Sequence, residues 1–427
     1  MSNLQEKSTG LIQKIVPTLN TLSRNKYLKA ISGGMMATLP INVIGSIAVL
    51  LMVFPIDAVQ QFLDFLGIKA LLGTLNSVTM GALALYVAFF LSKNLVQQFL
   101  PEDDGGVPGI TALIAFLVVT PLGSLEDGTG AIPTTWLGAQ GVFSAMIIGI
   151  LVGRSYVYMK EKGWTIKMPA GVPPMVTKVF EGLIPTIVTV TCITILARLF
   201  ELTPYGSMHD AIYNIIQRPF VNVGGSFPAM ILISIIAQIL WFFGIHGTNV
   251  TMPFVQAIWM TMDLSNLEAT MAGEVPPYII GNAFFMTVTF GGTALGLVIN
   301  MLMSKSKQYK QLGKMALVPA IFGITEPIIF GTPLVLNFKF AIPFIFNNAI
   351  VLTIAYVLTA VGIVPRFMGV ASIFGLPLGF SAAIQGSVMI VIMQLALHAL
   401  SILLWRPFFK LQEKEALESE MQVAGEE

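Results

Sequence analysis

The sequence has little charge and almost no cysteine. Charged residues make up 11% of its 427 residues and hydrophobic residues 55%, whereas a soluble domain carries about 25% charge. The mean hydropathy is +0.81, and no soluble fold can bury that much apolar surface, so the sequence predicts an integral membrane protein. Its single cysteine, Cys192, excludes an internal disulfide and a cysteine-based zinc site. The net charge of +1 excludes a generally basic nucleic-acid binder.

Motifs of several enzyme classes are also missing. No GxxxxGKS/T phosphate loop is present, which excludes nucleotide hydrolysis by that route, and no HExxH is present for a zinc protease. The first 30 residues hold five basic residues and no long apolar core, so we expect no cleavable signal peptide. We therefore predict no metal and no cofactor.

Long apolar runs dominate what is present. A spanning helix needs about 20 mostly apolar residues. Nine runs meet or approach that length: Ala30–Val53, Leu75–Leu91, Val107–Leu125, Trp136–Val152, Leu183–Leu199, Val221–Gly244, Ile279–Met303, Ala341–Ile363 and Ile384–Trp405. Shorter runs broken by glycine and proline lie between them.

The basic residues predict the orientation of these spans. They concentrate in three blocks, 1–29, 154–167 and 305–314, which the positive-inside rule places in the cytoplasm together with both termini. Three strong spans separate the second and third blocks, an odd number, so a weaker run such as 245–276 must also cross or re-enter. We predict an all-α polytopic integral membrane protein with about ten transmembrane helices and re-entrant segments.

Composition divides the chain into five regions. They are a cytosolic amphipathic N-terminal segment (1–29), a five-span half (30–200), an interfacial linker (201–220), a second membrane half with re-entrant segments (221–405) and a solvated acidic tail (406–427). The amphipathic prediction rests on one helical face, formed by Leu11, Ile15, Leu19 and Leu22.

A lone carboxylate, Glu326, lies in "FGITEPIIFGTP", among helix-breaking glycines and prolines. A charge at the bilayer centre costs about 2.5–3.5 kcal/mol on insertion scales, and non-helical backbone survives there only where protein or a water-lined cavity covers it. Pro327 disfavours the helical region for Glu326. We expect an unwound turn facing a polar cavity, as in transporter sites; a structural ion pair, for example with Lys339, is the competing interpretation.

A second polar cluster lies in "WFFGIHGTNVTMP", where no charge occurs from 219 to 262. His246 stands between two glycines, and we favour function for it over helix packing. Its neighbours complete the candidate set: Trp241, Gly247, Thr248 and Asn249. Asn282, at the start of a predicted span, is a further candidate for lining a site.

Other polar residues are weaker candidates. His398 lies inside a clean apolar span and His209 in the interfacial segment, and we predict that both are packing residues. For Gln385 and Gln394 two interpretations stay open, a position facing a cavity and a packing role, because nothing in the sequence selects between them.

Three segments resemble the membrane-embedded enzyme IIC components of the bacterial sugar phosphotransferase system, of the lactose/cellobiose/diacetylchitobiose type. They are "FGITEPIIFGTPLVLN" (322–337), "FGIHGTNV" (243–250) and "IKMPAGVPPMVTKVFEGLIP" (166–185). The resemblance covers essentially the whole chain; Phe338 departs from it, because the family favours proline there.

The resemblance implies a permease in the bacterial cell membrane that imports a disaccharide, of the cellobiose or diacetylchitobiose type. It implies a homodimer formed by the first five spans, and a sugar site between two re-entrant hairpins in the later half. Glu326 and His246 would bind sugar hydroxyls, with Asn249 nearby, and either could act as the base. The resemblance also implies that a separate IIB protein, supplied by IIA, phosphorylates the sugar from a phosphocysteine. The sequence agrees with a carrier on another protein, because Cys192 lies in an apolar span without a nearby base.

Two other function classes remain open on the residues alone. One is an ion-coupled secondary transporter in which Glu326 carries a proton. The other is a membrane receptor or scaffold, which gives no reason for two broken polar segments. Sugar uptake into vesicles distinguishes the ion-coupled transporter from transport coupled to phosphorylation. The transporter needs an ion gradient, whereas transport coupled to phosphorylation needs internal phosphoenolpyruvate.

Overall fold

The computed structural model describes residues 25–52, 57–125, 127–169, 171–244, 246–332, 334–372 and 375–426. The apolar helical face predicted within the segment 1–29, from Leu11 to Leu22, lies outside these residues. The described chain is almost entirely helical, apart from one short antiparallel ribbon in which β1 (Gly123–Ser124) pairs with β2 (Gly130–Ala131). The helical prediction from composition is therefore confirmed.

Eleven of the described helices lie before the turn that carries His246. They are α1 Lys26–Ala37, α2 Leu39–Met52, α3 Asp57–Phe65, α4 Ile68–Val78, α5 Leu83–Phe99, α6 Gly106–Val119, α7 Val142–Glu161, α8 Pro174–Glu201, α9 Met208–Ile212, α10 Arg218–Gly224 and α11 Phe227–Phe242. Eight follow: α12 Gly247–Met271, α13 Asn282–Val288, α14 Leu295–Leu302, α15 Lys307–Ile321, α16 Glu326–Gly331, α17 Ala341–Ala360, α18 Phe380–Ala383 and α19 Val388–Glu426.

Six helical stretches among the described residues are long and apolar enough to cross a membrane. They are Lys26–Met52, Ile68–Phe99, Ala139–Glu161, Pro174–Glu201, Ala341–Ala360 and Val388–Gln422. A seventh is formed if the pair Met208–Gly224 and Phe227–Phe242, bent by 69°, counts as one span. The multi-pass membrane character is confirmed, whereas the count of about ten spans stays a prediction.

Three of the nine predicted spans have no counterpart among these six stretches. The run 107–125 forms only the 14-residue helix α6, 221–244 is interrupted at 225 and 226, and 279–303 divides into α13, a 3-10 turn (Phe290–Thr293) and α14. Apolar composition does not reveal these interruptions. A helix break that other parts of the protein bury needs no polar side chains, so the apolar run continues through it in the sequence.

The described chain forms two compact units. The first contains 25–48, 70–222 and 252–261, and the second contains 49–69, 223–251 and 262–426. The contiguous halves expected from composition, 30–200 and 221–405, leave out the exchanges at 49–69 and 252–261. Helices α2, α4, α10 and α12 contribute residues to both units.

In the first unit, α5 packs against α1, α6 and α7, and α8 packs against α6 and α7. Small residues permit close approach: a Cβ at Gly34 would lie 2.8 Å from the Cα of Leu91. The buried carboxylate of Asp103 accepts a hydrogen bond from Lys160 Nζ at 2.7 Å, and Lys160 also pairs with Glu181 at 3.1 Å. These ion pairs join α7 and α8 to the loop before α6.

The predicted interfacial linker contains α9 and a π-helical turn, Tyr213–Gln217. His209 is completely buried there, stacked on Trp136 with ring centroids 5.1 Å apart and in edge contact with Phe116 at 4.9 Å. Its Nε2 lies 3.1 Å from Thr120 Oγ1. His209 therefore packs, as the sequence predicts.

In the second unit, α14 packs against α15 and α19, and α11 packs against α17. The acidic tail is not simply solvated: through 426 it continues α19. Glu413 is buried, and its carboxylate accepts hydrogen bonds from Ser304 Oγ and from the Lys305 backbone N–H, both at 2.7 Å. The tail is thus part of the second unit, fixed to the loop between α14 and α15.

Candidate functional site

The first polar cluster forms a sharp break between α11 and α12. Gly244 has φ +78°, a left-handed conformation that favours glycine, and α12 begins at Gly247. A Cβ at Gly247 would lie 1.9 Å from the carbonyl oxygen of Ala237. Glycine at 247 therefore allows the start of α12 to approach the backbone of α11.

The side chains at this break contact one another. Trp241 donates its indole N–H to Thr248 Oγ1 at 3.3 Å, and its ring lies 4.2 Å from the ring of His246 at an angle of 45°. His246 is exposed, while Trp241 and Thr248 are half-buried. The histidine is thus held beside an indole face, at an accessible position. The side chain of Asn249 lies outside the described residues, although its backbone is in α12.

The second break surrounds Glu326. Helix α15 ends in a turn at Gly323, φ +77°, where the N–H of Ile324 donates to the carbonyl of Pro319 at 2.9 Å. Glu326 is the first residue of the short helix α16 and Pro327 the second. The expected extended geometry at Glu326 is therefore wrong: the unwound residues precede it, and proline in the first turn needs no hydrogen-bond partner for its nitrogen. The side chain of Glu326 lies outside the described residues.

The two breaks lie against each other within the second unit. The N–H of Leu336 donates to the carbonyl of Phe242 at 2.9 Å, and Val335 Cγ1 would lie 3.3 Å from a Cβ at Gly244. Leu336 has φ +57°, an uncommon conformation for a branched side chain. The segment after α16 is therefore hydrogen-bonded to the backbone just before the His246 turn. The two motifs, which are separate in the sequence, form one structural region.

A third break packs on the second. Gly291, φ +56°, belongs to the 3-10 turn after α13, and a Cβ there would lie 3.3 Å from Gly323 Cα and 3.6 Å from Thr325 Cγ2. His398 supports this turn from α19, with Nε2 3.3 Å from the Phe290 carbonyl and Nδ1 2.8 Å from the Gln394 carbonyl. His398 is buried, as predicted for a packing residue.

Asn282 begins α13, at the end opposite to the 290–293 turn. Its side-chain Oδ1 is buried and has no hydrogen-bond partner among the described residues. The length of α13 separates Asn282 from the turn that contacts Thr325. Asn282 therefore has an unpaired acceptor atom, but no described contact connects it with His246.

Asp263 is a buried residue that the sequence reasoning missed. Its carboxylate oxygen Oδ2 accepts a hydrogen bond from the backbone N–H of Ala283 at 2.8 Å and so caps α13. A Cβ at Gly281 would lie 2.0 Å from Asp263 Oδ1. The available signal was its position as the first charge after 218 in an otherwise uncharged stretch.

The two glutamines whose role the sequence leaves open hydrogen-bond backbone groups of other segments. Gln394, completely buried, accepts from the Gly379 N–H at 2.9 Å and donates to the Thr287 carbonyl at 2.8 Å. Gln385 donates to the Val370 carbonyl at 2.8 Å. Among the described residues, no group of three or more histidine, cysteine, aspartate or glutamate side chains could hold a metal ion.

A family model for the EIIC component of the phosphotransferase system matches residues 32–347. The chain belongs to this EIIC family. It is a sugar-translocating membrane subunit of a phosphotransferase system, and the family gives no support to the ion-coupled secondary transporter.

Relatives of this EIIC chain are similar over nearly its full length. The oligo-beta-mannoside-specific EIIC component of Bacillus subtilis (strain 168) is 36% identical, covering 97% of this chain and 96% of the relative. The cellobiose-specific EIIC component of Geobacillus stearothermophilus is 29% identical, covering 95% and 94%. The crystal structure of ChbC, the IIC component from the N,N'-diacetylchitobiose-specific phosphotransferase system, superposes with a TM-score of 0.89 at 31% identity, covering 96% and 99%.

The cysteine of this EIIC chain is at the surface of its helix. Cys192 is exposed on α8. It still lies within an apolar candidate span, Pro174–Glu201. Its membrane-level position, not burial by protein, separates this thiol from soluble phosphoryl donors.

Proposed function

We propose that this EIIC protein imports a β-linked disaccharide, of the cellobiose or diacetylchitobiose type, and presents it to a phosphorylated IIB subunit. The support for the sugar class is that relatives specific for oligo-beta-mannosides, cellobiose and N,N'-diacetylchitobiose are all similar to it over 94% or more of both chains. All three are β-linked sugars, which share an extended shape.

One observation carries the assignment of the site. The backbone hydrogen bond between Leu336 and Phe242, 2.9 Å long, joins the turn that carries His246 to the segment that follows Glu326. Broken helices in a membrane protein expose backbone and side-chain polar groups to a cavity at the level of the bilayer, which is where transporters bind their substrates.

The residues around these breaks suit a sugar. His246 and Glu326 are proposed to hydrogen-bond hydroxyls, with Gly247, Thr248 and Asn249 on the same turn as the histidine. The indole of Trp241, fixed by its bond to Thr248, offers an apolar face against which a pyranose ring can stack. Asn282 brings an unfilled acceptor and is proposed as an outer contact.

His246 and Glu326 also share the proposed role in chemistry. The reacting hydroxyl has to be oriented toward the phosphoryl donor, and a group within about 2.6–3.2 Å of it can do so or accept its proton. We assign this role to one of the two residues, and the kinetics of a His246 variant decide between them.

The chain works with IIA and IIB proteins as a component of the phosphotransferase system. We assign the phosphoryl-carrying cysteine to the IIB subunit, because Cys192 lies on an apolar helix. We also propose a homodimer formed by the five-span half. Helix α8 supports this proposal, because only 17% of its apolar stretch is buried within the protomer, the lowest share among the candidate spans. Light scattering in detergent measures the oligomeric state.

Both termini are proposed to be cytoplasmic. The C-terminal end of α19 is bonded to the basic loop at 304–308, so these two regions lie on the same side. The abundance of lysine in this loop favours the cytoplasm. Labelling an engineered cysteine near the C-terminus from each side of the membrane tests the orientation.

Reconstituted vesicles test the function itself. Vesicles that contain phosphoenolpyruvate and the soluble phosphotransferase proteins, including IIB, are expected to accumulate phosphorylated cellobiose or diacetylchitobiose. Vesicles that lack phosphoenolpyruvate but carry a proton or sodium gradient are expected to accumulate neither sugar. Uptake of free sugar driven by the gradient would contradict the proposal.

A further inference from the structure

A row of lysines lies along the exposed side of α15. Lys307, Lys310 and Lys314 are spaced by three and four residues, which places them on one side of a helix. All three are exposed. The opposite side of α15 is packed, because Ala316 is completely buried there. Between the two sides, a Cβ at Gly313 would lie 2.9 Å from Met301 Cβ on α14. We call these three residues the α15 lysine face.

The acidic residues closest to this face are already engaged. Glu420 accepts hydrogen bonds from Ser306 Oγ at 2.7 Å and from the backbone N–H of Gln308 at 3.0 Å. Glu413 is bonded to Ser304, to the Lys305 backbone and to Lys410. Among the described residues, no ion pair includes a lysine of the face. The tail therefore fixes the backbone of the loop. The Glu420 carboxylate also attracts the Lys307 charge without forming an ion pair with it, whereas Lys310 and Lys314 have no ion pair among the described residues.

The basic block of the first unit, 154–167, provides a contrast. Its Lys160, in the last turn of α7, pairs with Asp103 at 2.7 Å and with Glu181 at 3.1 Å, and its Arg154 lies 3.7 Å from Glu161. Part of that block's charge thus stabilises the first unit. The α15 lysine face has no such structural use, and it lies on the helix that leads directly to Glu326.

The length of α19 places the face beyond the lipid. Apolar sequence in α19 ends near Trp405, and Glu420, which is bonded to the start of α15, comes 15 residues later. At 1.5 Å per residue this is about 20 Å along the helix, whereas the headgroup layer on each side is only about 5–8 Å thick. The start of α15 therefore stands in water, which favours a soluble partner over lipid headgroups.

We propose that the α15 lysine face is the docking surface for the phosphorylated IIB subunit and recognises the negative charge around its phosphorylated residue. The inference rests on the proposed function, which requires such a subunit to approach from the cytoplasm. A phosphorylated side chain adds about −1.5 to −2 charges, and an exposed basic surface accelerates the encounter with such a partner. The face recruits the donor; His246 and Glu326 hold the sugar.

The test is a charge reversal with a matched control. The double variant Lys307→Glu/Lys310→Glu is compared with Lys162→Glu/Lys167→Glu, which reverses two exposed lysines in the basic block of the first unit. Sugar phosphorylation is measured at saturating sugar with increasing concentrations of the phosphorylated IIB subunit. We expect the KM for this subunit to rise about tenfold or more in the α15 variant at about 0.05 M salt, and the difference to shrink severalfold at about 0.5 M salt because of screening. Equilibrium sugar affinity should stay as in the wild type, and the control should retain the wild-type KM.

Other outcomes overturn the proposal. An unchanged KM in the α15 variant rejects the surface, and an equal rise in the control shows that total charge matters and the face does not. A KM difference that disappears in purely zwitterionic lipid assigns the lysines to anionic headgroups instead. If the wild type itself phosphorylates no disaccharide with the subunit, the proposed function fails and the docking surface with it, whereas an active wild type with an unaffected variant rejects the docking surface alone.

Discussion

Substituting Gly247 with alanine tests the close approach on which the His246 turn depends. The added Cβ would lie 1.9 Å from the carbonyl oxygen of Ala237 and 2.9 Å from its Cα, whereas a carbon and an oxygen normally stay about 3.3 Å or more apart. The start of α12 must therefore move away from α11 by about 1.4 Å. Because both obstructing atoms are backbone, no change of side-chain rotamer can relieve the clash.

This displacement has two expected effects. Overpacking of this kind destabilises a protein by about 1–3 kcal/mol, and the Trp241–Thr248 hydrogen bond, already 3.3 Å long, would be lost at a further cost of about 1 kcal/mol. The second effect is on the site, because His246 directly precedes the displaced residue. We expect the affinity for the disaccharide to fall about tenfold to a hundredfold, which corresponds to about 1.4–2.8 kcal/mol.

The assay combines equilibrium binding of the disaccharide with thermal unfolding of the purified protein. Gly73→Ala is the matched control, because Gly73 lies in helix α4 and its added Cβ would meet nothing within 4 Å; it should keep wild-type affinity. Wild-type affinity and stability in Gly247→Ala would refute the reasoning. If that variant is too unstable to purify, Thr248→Val removes the acceptor of the Trp241 indole without a backbone clash and should weaken binding severalfold.

Three further predictions concern single side chains. Glu326→Ala removes the acceptor of charge-assisted hydrogen bonds worth about 1.5–3 kcal/mol each, so sugar affinity should fall at least about tenfold; normal affinity in the folded variant would reject its role. His246→Ala should weaken binding and also lower phosphorylation at saturating sugar, measured with purified partners; a full rate at saturation would limit it to binding, and no change at all would make it a packing residue. Cys192→Ser should leave phosphorylating uptake intact, because the carrier thiol is on IIB, and loss of uptake in a stable variant would contradict that assignment.

Sequence alone predicted the class of molecule and the places where its helices break. Low charge and long apolar runs require a membrane environment, since no soluble fold can bury them. Glycine and proline next to Glu326 and His246 indicated the two breaks, because these residues end helices for local steric reasons. The family resemblance of the same short segments was confirmed.

Helix boundaries were less predictable for a physical reason. In a membrane protein the lipid-facing side and the packed side of a helix are both apolar, so no periodic pattern marks its ends. The predicted span 75–91 is accordingly part of the longer stretch Ile68–Phe99, and the predicted span 384–405 continues as a helix to 426. The composition of the acidic tail predicts that it is solvated, although Glu413 is buried and bonded to the Ser304 hydroxyl and the Lys305 backbone N–H.

The sequence by itself determined that the protein lives in a membrane, that it is helical, and which two segments carry polar groups among helix breakers. Only the tertiary structure decided that these segments meet, through the Leu336–Phe242 hydrogen bond, and that Gly291 packs on the turn at Gly323. It also decided that the buried carboxylate of Asp263 caps α13. Helix breaks follow from the local conformational preferences of single residues, whereas these contacts join positions 20 to about 95 residues apart and arise only when the whole second unit is packed.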